Sequence, residues 1–405
     1  MVLTKSELTV LRLTANSLFN AGLKIDTDID WNEVFVESKK QAVCALAYDA
    51  TKNLNIPSDI NEKWFNYSVS FLRKNLQVND NHNYVHNFMK EINIPYCILK
   101  GCASEYYYPN RTLRAMGDVD FLVDNENLEE ARKKFEEAGF TADENGHDFH
   151  IAVVKGNMDL ELHYAVPGLP DGSEGDGVRE VLKDIIANST ETKIGDATFM
   201  MPTALHHGIV MLLHTYNHLI FEGIGLRHLC DWAVFVNYFS EEDFEQNFKE
   251  GFQKSGLWKF ARILSATACK YLKMPYKSWI GEIDDKLCDS LIADIFDGGN
   301  FGAKNSERGW QSQMIAHRGD AKLKKSKFAQ LVSVKNYDAA KKFPIFKKCR
   351  ILYPFGWIFL GVRYIINIIL GRRPKVNMSE LAQGAEQRRE IYKQFQLFEG
   401  DNNNG

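Results

Sequence analysis

Residues 97–123 read CILKGCASEYYYPNRTLRAMGDVDFLV, and this stretch decides the fold of the chain. An apolar run, Cys97-Ile98-Leu99, stops at Lys100-Gly101, and a later run, Asp118-Val119-Asp120-Phe121, alternates acidic and apolar residues. Alternation with a period of two is typical of a half-buried strand, which places both carboxylates on one face. The two negative charges should repel each other unless a cation lies between them. Replacing the two acidic residues should therefore not reduce the stability of the metal-free protein. The pattern predicts a metal site, and two surface acids on a solvated strand edge are the simpler alternative.

A strand, a glycine turn, a helix-like segment and an Asp-x-Asp strand together resemble the core of β-polymerase-type nucleotidyltransferases. The runs Leu99-Lys100-Gly101, Tyr108-Pro109 and Arg114-Ala115-Met116-Gly117-Asp118 are similar to a bacterial family of uncharacterised nucleotidyltransferases, nucleotidyltransferase family 5. The resemblance implies that the glycine turn approaches a nucleoside triphosphate and that the acidic pair holds Mg²⁺ or Mn²⁺. The sequence departs from the wider superfamily in two ways. Gly101-Cys102 replaces the usual Gly-Ser or Gly-Gly pair, and the spacing from this pair to Asp118 is long.

The resemblance also implies a third carboxylate from a neighbouring strand. Residues 158–164 alternate, so Asp159, Glu161 and His163 share one face of a predicted strand. The family motif Asp-Leu-His-Trp corresponds to Glu161-Leu162-His163-Tyr164, which makes Glu161 the third carboxylate and Asp159 the alternative. Glutamate in place of aspartate shifts the carboxylate oxygens by about one bond length.

A histidine stripe follows on a predicted helix, because His207, His214 and His218 are seven and four residues apart. The stripe could bind a transition metal together with Asp231. The family resemblance, which extends over this segment, favours side chains that line a nucleotide or acceptor pocket. Arg227 and Asp231, four residues apart, could equally form a simple ion pair.

The predicted activity is transfer of a nucleoside monophosphate from an NTP such as ATP to an unidentified acceptor hydroxyl, with release of pyrophosphate. Asp118, Asp120 and Glu161 are the predicted metal-binding and catalytic residues, and Glu161 favours deprotonation of the acceptor. Backbone N–H groups of the glycine turn should face the phosphates, and Lys100 and Arg114 should neutralise phosphate charge or pair with the acids. The predicted nucleotide-binding residues are Lys100, Gly101, Cys102, Arg114, His163, His214, His218, Arg227 and Asp231. A catalytically inactive nucleotide-binding or membrane-surface module of the same fold is the alternative.

The fold class predicted is α+β, with a small mixed β-sheet, a helical N-terminal flank and a helical C-terminal domain. The expected domains are residues 1–75, 76–200 and 201–405, with strands at 96–99, 118–123, 151–155 and 158–164, and a helix over 79–92 entering the core. The net charge of -4 makes nucleic acid an unfavoured partner. Seven cysteines without a Cys-x-x-Cys pair and an N-terminus unlike a signal peptide favour a cytoplasmic protein.

The C-terminal part carries a basic stretch over residues 318–350, an apolar stretch over 351–370 and three more basic residues soon after. The apolar stretch is long enough to span a bilayer, but Arg363 and Asn367 in its middle and Pro354 near its start argue against a span. Two alternatives stay open: a helix lying in the surface of an anionic membrane, and a helix packed on the helical domain.

Overall fold

The computed structural model describes residues 3–143, 149–305, 307–315, 350–370 and 378–398, together with residues 332, 336, 339, 342 and 343. It confirms the predicted fold class, since a small mixed sheet is surrounded by helices that make up 61% of the structure. Most of the basic stretch, the basic residues at 372, 373 and 375, and the last residues of the chain lie outside the described residues.

The main sheet has five strands in the order β1-β2-β5-β4-β3. β2 and β5 are parallel neighbours, and the other pairs are antiparallel. The register of β2 on β5 places Asp120 directly beside Glu161. A separate hairpin is formed by β6 and β7. The strands are β1 Cys97–Ile98, β2 Val119–Leu122, β3 Thr141–Asp143, β4 His150–Lys155, β5 Met158–His163, β6 Thr190–Ile194 and β7 Ala197–Met201.

Helices precede, cover and follow the sheet. They are α1 Lys5–Phe19, α2 Trp31–Lys40, α3 Cys44–Asp49, α4 Ser58–Glu91, α5 Cys102–Glu105, α6 Leu128–Glu137, α7 Asp176–Leu182, α8 Ala204–Phe221, α9 Leu226–Tyr238, α10 Glu241–Asn247, α11 Lys249–Lys254, α12 Trp258–Leu272, α13 Asp285–Gly298, α14 Arg308–Ile315, α15 Tyr353–Ile369 and α16 Met378–Lys393. Asp30 caps α2, because its carboxylate accepts hydrogen bonds from the backbone N–H groups of Asn32 and Glu33.

The long helix α4 links the N-terminal helices to the sheet. It has 34 residues and buries Trp64 among the N-terminal helices and Val85 and Met89 in the shared core. The helix expected over residues 79–92 is therefore the second half of a longer one. α4 runs without a break across residues 75 and 76, where the sequence suggests a domain boundary. Asn75 on this helix donates to the carbonyl oxygens of Thr112 and Arg114, which fixes the loop before β2.

The last helix, α16, returns to the body and lies against α14 and the end of α8. Arg388 donates to the carbonyl oxygens of Leu219 and Ile220 at 3.2 and 3.0 Å, and Tyr392 donates to that of Leu219 at 2.8 Å. The buried carboxylate of Asp294 forms an ion pair with Arg308, and its Oδ2 lies 3.0 Å from the Tyr392 hydroxyl oxygen. These contacts satisfy carbonyl groups at the end of α8 that would otherwise lack intrahelical partners.

α15 coincides with the apolar stretch noted in the sequence, and its large apolar side chains are mostly exposed. Among the described residues, no helix combines the length and the apolar character that crossing a membrane requires. The structure therefore places an apolar helix at the surface of the molecule. A helix packed on the helical domain, which is one of the two alternatives, would have its apolar side chains covered.

Candidate active site

Three carboxylates meet at the edge shared by β2 and β5. Asp118 directly precedes β2, Asp120 lies within it, and Glu161 lies beside Asp120 on β5. One carboxylate oxygen from each residue lies within 4.8 Å of the other two. Around a single Mg²⁺ with metal–oxygen distances of about 2.1 Å, ligands lie up to about 4 Å apart, so small side-chain adjustments would let all three bind one ion. The predicted alternative, Asp159, lies on the same strand but outside this cluster.

Asp120 is the buried centre of the cluster, with a side chain only 1% exposed. Its Oδ1 lies 2.7 Å from Lys100 Nζ and 3.1 Å from His163 Nε2. Burial acts to raise the pKa of Asp120, but the charge of Lys100 and the His163 hydrogen bond outweigh it and hold that pKa well below the ordinary value. Asp120 is therefore ionised in the folded protein without any metal.

Asp118 experiences the opposite balance. The negative charge of Asp120 and then burial raise the pKa of Asp118, and Lys100 and Arg227 counteract this only partly. The site thus holds a carboxylate whose ionised form is disfavoured by its neighbour. A divalent cation between the two oxygens would reverse this repulsion, which is the physical signature expected of a metal-binding acidic pair.

Glu161 lies between Asp120 and two histidines. Its Oε2 is 3.1 Å from His163 Nε2, and its Oε1 is 3.5 Å from His150 Nε2. Burial, together with the charges of Asp120 and Asp118, raises the pKa of Glu161 to about 7, although His163 and Lys100 lower it. His163 itself is fully buried beneath the carboxylates, so it orients them rather than lining the space above them. His150, Glu161 and His163 form a second group whose ligand atoms lie within 4.8 Å of one another.

The histidine stripe of α8 divides into two parts. Lys100 Nζ lies 2.9 Å from His214 Nε2, which in turn lies 2.9 Å from His218 Nε2. His218 Nδ1 faces Glu222 Oε2 at 2.8 Å. Since an ammonium group can only donate, His214 Nε2 is the acceptor, and the stripe is hydrogen-bonded to Lys100. His207 is separate and contacts Ser104 Oγ at 3.2 Å. Within the described residues, the candidate metal groups include none of these three histidines.

Arg114 and Asp231 form an ion pair that holds the glycine turn in place. Arg114 Nε and Nη2 donate to the two carboxylate oxygens of Asp231 at 2.8 and 2.9 Å, and Arg114 Nη1 donates to Gly101 O at 3.1 Å. Tyr108 also donates to Asp231 Oδ1, at 2.7 Å. The ion pair suggested for Arg227 and Asp231 is thus taken by Arg114 instead. Arg114 commits three of its five N–H donors to these partners, and the carboxylate of Asp231 has no donor to offer a phosphate.

Arg227 is the cation best placed to meet a ligand. It donates one hydrogen bond, from Nη1 to Ala115 O at 3.0 Å, and its guanidinium lies 5.8 Å from the centre of the Phe301 ring. Its buried Nε has no hydrogen-bond partner among the described residues. A buried guanidinium with an unused donor beside acidic groups is suited to binding a phosphate oxygen.

The glycine turn itself is shaped by a residue that the sequence did not single out. Gly101 has a φ of +63°, and a Cβ at this position would lie 2.7 Å from His82 Nε2. The N–H of Cys102 donates to the same His82 nitrogen at 3.4 Å, and Cys102 Sγ donates to Asn79 Oδ1 at 3.2 Å. The backbone N–H of Cys102 is expected to face a phosphate, and its hydrogen bond to His82 competes with that role. A buried histidine on a helix carries no sequence signal of such a role.

A cavity opens above Asp118 and Asp120 and has a volume of about 100 Å³. Pockets that enclose a whole small molecule usually measure roughly 300–1,000 Å³, so this one would hold phosphate groups and leave a nucleoside outside. The cavity-lining residues are Lys100, Gly101, Ser104, Arg114, Gly117, Asp118, Asp120, Met211, His214, Thr215, Arg227, His228, Asp231 and Phe301. Four predicted site residues are not among them: Cys102, Glu161, His163 and His218.

Comparison with known proteins adds one match. The sequence profile of a family described as an uncharacterised nucleotidyltransferase matches residues 27–272, more than half of the chain. The match contains all three carboxylates and ends with α12. A search of curated proteins finds no match.

Proposed function

The chain belongs to the family of uncharacterised nucleotidyltransferases, and from this premise we propose that it transfers a nucleoside monophosphate from a nucleoside triphosphate to an acceptor hydroxyl. The observation that carries the proposal is the cluster of Asp118, Asp120 and Glu161, whose oxygens lie within 4.8 Å of one another beside a phosphate-sized cavity. Mg²⁺ and Mn²⁺ prefer oxygen ligands, among them ionised carboxylates such as that of Asp120.

Asp118, Asp120 and Glu161 would hold the divalent ion. The donor set fits, because it supplies only oxygens and because the raised pKa of Asp118 reflects a repulsion that a cation relieves. When bound, the ion would neutralise triphosphate charge and stabilise the charge that develops around the α-phosphorus. Asp159 lies outside the cluster, which supports Glu161 as the third carboxylate.

Lys100 and Arg227 would bind and orient the triphosphate. Lys100 lies next to Asp120, lines the cavity and keeps that carboxylate in place, while Arg227 also lines the cavity and has an unused donor, Nε. His214 contacts Lys100 and also lines the cavity, so it would position the ammonium group. Arg114 and Asp231 would act indirectly, by fixing the glycine turn.

Glu161 would take the proton of the acceptor. The acceptor oxygen attacks the α-phosphorus, the bond from that phosphorus to the bridging oxygen of the leaving group breaks, and pyrophosphate departs. The hydroxyl proton moves to a Glu161 oxygen. In the metal-free protein the pKa of Glu161 is raised to about 7 by burial and by the charges of Asp120 and Asp118. A divalent ion held by the cluster would lower this pKa again, so that Glu161 is ionised and able to accept the proton.

The test compares two matched carboxamide variants on one strand face, Glu161→Gln and Asp159→Asn. With α-labelled NTPs, Mn²⁺ and a cell extract as the source of acceptors, Glu161→Gln should slow label transfer and pyrophosphate release by roughly 10²- to 10⁴-fold. Its affinity for the nucleotide should change much less, because the proton is transferred mainly in the transition state. Asp159→Asn should behave like the parent.

Two results would contradict the proposal. Normal transfer by Glu161→Gln with loss in Asp159→Asn would assign the third carboxylate to Asp159. Nucleotide binding by the parent protein without pyrophosphate release, for every NTP and extract, would favour the catalytically inactive binding module.

A further inference from the structure

One face of α15 exposes a continuous apolar stripe. Its members follow one another at intervals of three or four residues and are between 48% and 75% exposed: Phe355, Ile358, Val362, Ile366 and Ile369. Isolated apolar residues are normal on protein surfaces, but a contiguous row of this length marks a binding surface. Ile351 and Leu370 extend the row at its two ends.

α15 is held by its own segment of the chain. On the face opposite the stripe, Trp357 Nε1 donates to Asn336 Oδ1 at 3.1 Å. At the edge of the stripe, Phe359 is 49% exposed and its ring lies 5.2 Å from that of Phe343. Within the described part of the chain, none of the helices and strands of the body covers the exposed stripe. Apart from Phe359 at its edge, the stripe is thus directed away from the contacts that hold the helix.

The charge of the surrounding sequence indicates the chemistry of the partner. Residues 316–377 contain fifteen lysines and arginines against two aspartates, a net charge of +13. Since the whole chain carries -4, the remainder carries -17. So strong a separation of charge within one chain calls for an anionic partner at this segment alone.

We propose that the exposed face of α15 docks on the surface of a membrane that contains anionic phospholipid. An amphipathic helix in a basic segment, with aromatic residues such as Phe355 and Trp357, has the composition of helices that lie in the lipid headgroup region. A bilayer span is disfavoured by the length of 17 residues and by the exposed Arg363. Nucleic acid would satisfy the positive charge but would leave the aliphatic stripe in water. The inference does not depend on the proposed function.

The experiment is co-sedimentation of the full chain with vesicles of phosphatidylcholine alone or mixed with phosphatidylserine. We expect binding to the mixed vesicles at low salt, weaker binding at high salt, and little binding to phosphatidylcholine. Ile358→Asp/Val362→Asp should reduce the partition coefficient at least tenfold, because two aliphatic side chains no longer enter the apolar boundary. Both positions are exposed, so thermal unfolding should match that of the parent.

The matched control replaces two apolar residues of similar exposure elsewhere, Leu76 and Tyr276, which are 62% and 61% exposed. Leu76→Asp/Tyr276→Asp should bind vesicles like the parent. Three outcomes would overturn the inference: no binding to mixed vesicles at low salt; equal binding by Ile358→Asp/Val362→Asp; or a gel shift of labelled RNA without vesicle binding. A dimer that Ile358→Asp/Val362→Asp dissociates, again without vesicle binding, would assign the stripe to a second copy of the chain.

Discussion

Asp118 and Asp120 carry the same side chain two residues apart, yet their surroundings give them different properties. Asp120 is the buried partner of Lys100, and its pKa is well below the ordinary value. Asp118 is repelled by Asp120, and its pKa is raised. The alternating sequence predicts that both lie on one face, but it carries no information on Lys100 as the partner of only one of them. The expectation that removing the acids leaves stability unharmed therefore applies to Asp118 alone.

In metal-free protein, Asp118→Asn should be at least as stable as the parent, because the substitution removes repulsion. Asp120→Asn should lower the free energy of unfolding by roughly 3 kcal/mol, because it leaves the Lys100 ammonium without its buried partner. Urea denaturation in the presence of a chelator measures both. Equal destabilisation by the two variants would contradict the assignment of the Lys100 ion pair to Asp120.

Sequence patterns identified most of the residues around the cavity but not their pairing. Lys100, Arg114, Arg227 and Asp231 are all present in the site. Arg114 and Asp231 are 117 positions apart, so only the fold determines that they form an ion pair. Periodicity within a single helix suggested Arg227 as the partner of Asp231, because local spacing is the only distance that a sequence provides.

At the scale of elements, strands with apolar runs or one apolar face were predictable and polar strands were not. Of the four predicted core strands, β2 and β5 follow runs in which apolar residues alternate with polar ones, and β1 and β4 follow short apolar runs. The segment Thr190–Ile194 is mostly exposed and has only one buried apolar residue, Ile194, so its sequence resembles a loop. It forms a strand because Ala197–Met201 pairs with it and packs its own apolar face on α4.

The turn between β1 and α5 depends on the absence of a side chain at Gly101. Gly101→Ala should lower the free energy of unfolding by at least about 2 kcal/mol, because alanine disfavours positive φ and its Cβ would lie 2.7 Å from His82 Nε2. The control is Gly117→Ala, also beside the cavity, where a Cβ meets nothing within 4 Å. It should change stability by no more than about 0.5 kcal/mol. Thermal unfolding of both variants measures the difference, and similar losses would contradict this account of the turn.

At the scale of the molecule, buried histidines make stability depend on pH. Burial lowers the pKa of His82 and of His207 to about 3, from an ordinary value near 6.5. The unfolded chain therefore binds more protons below pH 6.5, so the stability that these residues provide at neutral pH is lost as the pH falls towards 3. Burial also lowers the pKa of His214 and His228. The raised pKa of Glu161 acts in the opposite direction between about pH 4.5 and 7. The raised pKa values of Asp118 and His163 act in the same sense as that of Glu161.

From pH 7.5 to pH 5, His82 and His207 together should cost about 4 kcal/mol of unfolding free energy, partly offset by Glu161. Chemical denaturation at pH 5, 6 and 7.5 measures this slope. The side chain introduced by His207→Gln can still hydrogen-bond to Ser104. This variant should lower the dependence of the free energy of unfolding on pH by the equivalent of about one proton. A free energy of unfolding that stays constant over this range would show that the histidines are not buried in neutral form.

The two helices that flank residues 316–377, α14 and α16, pack against each other. Gln311 lies beside Gly384 and Arg388. Ile315 and Ser379, at the ends of these helices nearest residues 316–377, line a common groove, so α14 and α16 run antiparallel. Replacing residues 316–377 by a short Gly-Ser linker should therefore preserve the fold and any nucleotidyl transfer, while vesicle binding is lost. Circular dichroism, transfer assays and co-sedimentation test this, and an unfolded product would show that the segment is needed by the body.

The return of α16 also determines the order in which the protein can be completed during its synthesis. Arg388 contacts Leu219, which leaves the ribosome 169 residues earlier. Until the segment that forms α16 emerges, the end of α8 and the carboxylate of Asp294 lack part of their final contacts. The five-stranded sheet and the three acidic residues, by contrast, are complete once His163 has been synthesised and can assemble much sooner. A nascent chain at this stage would thus carry a formed sheet beside an unfinished helical half.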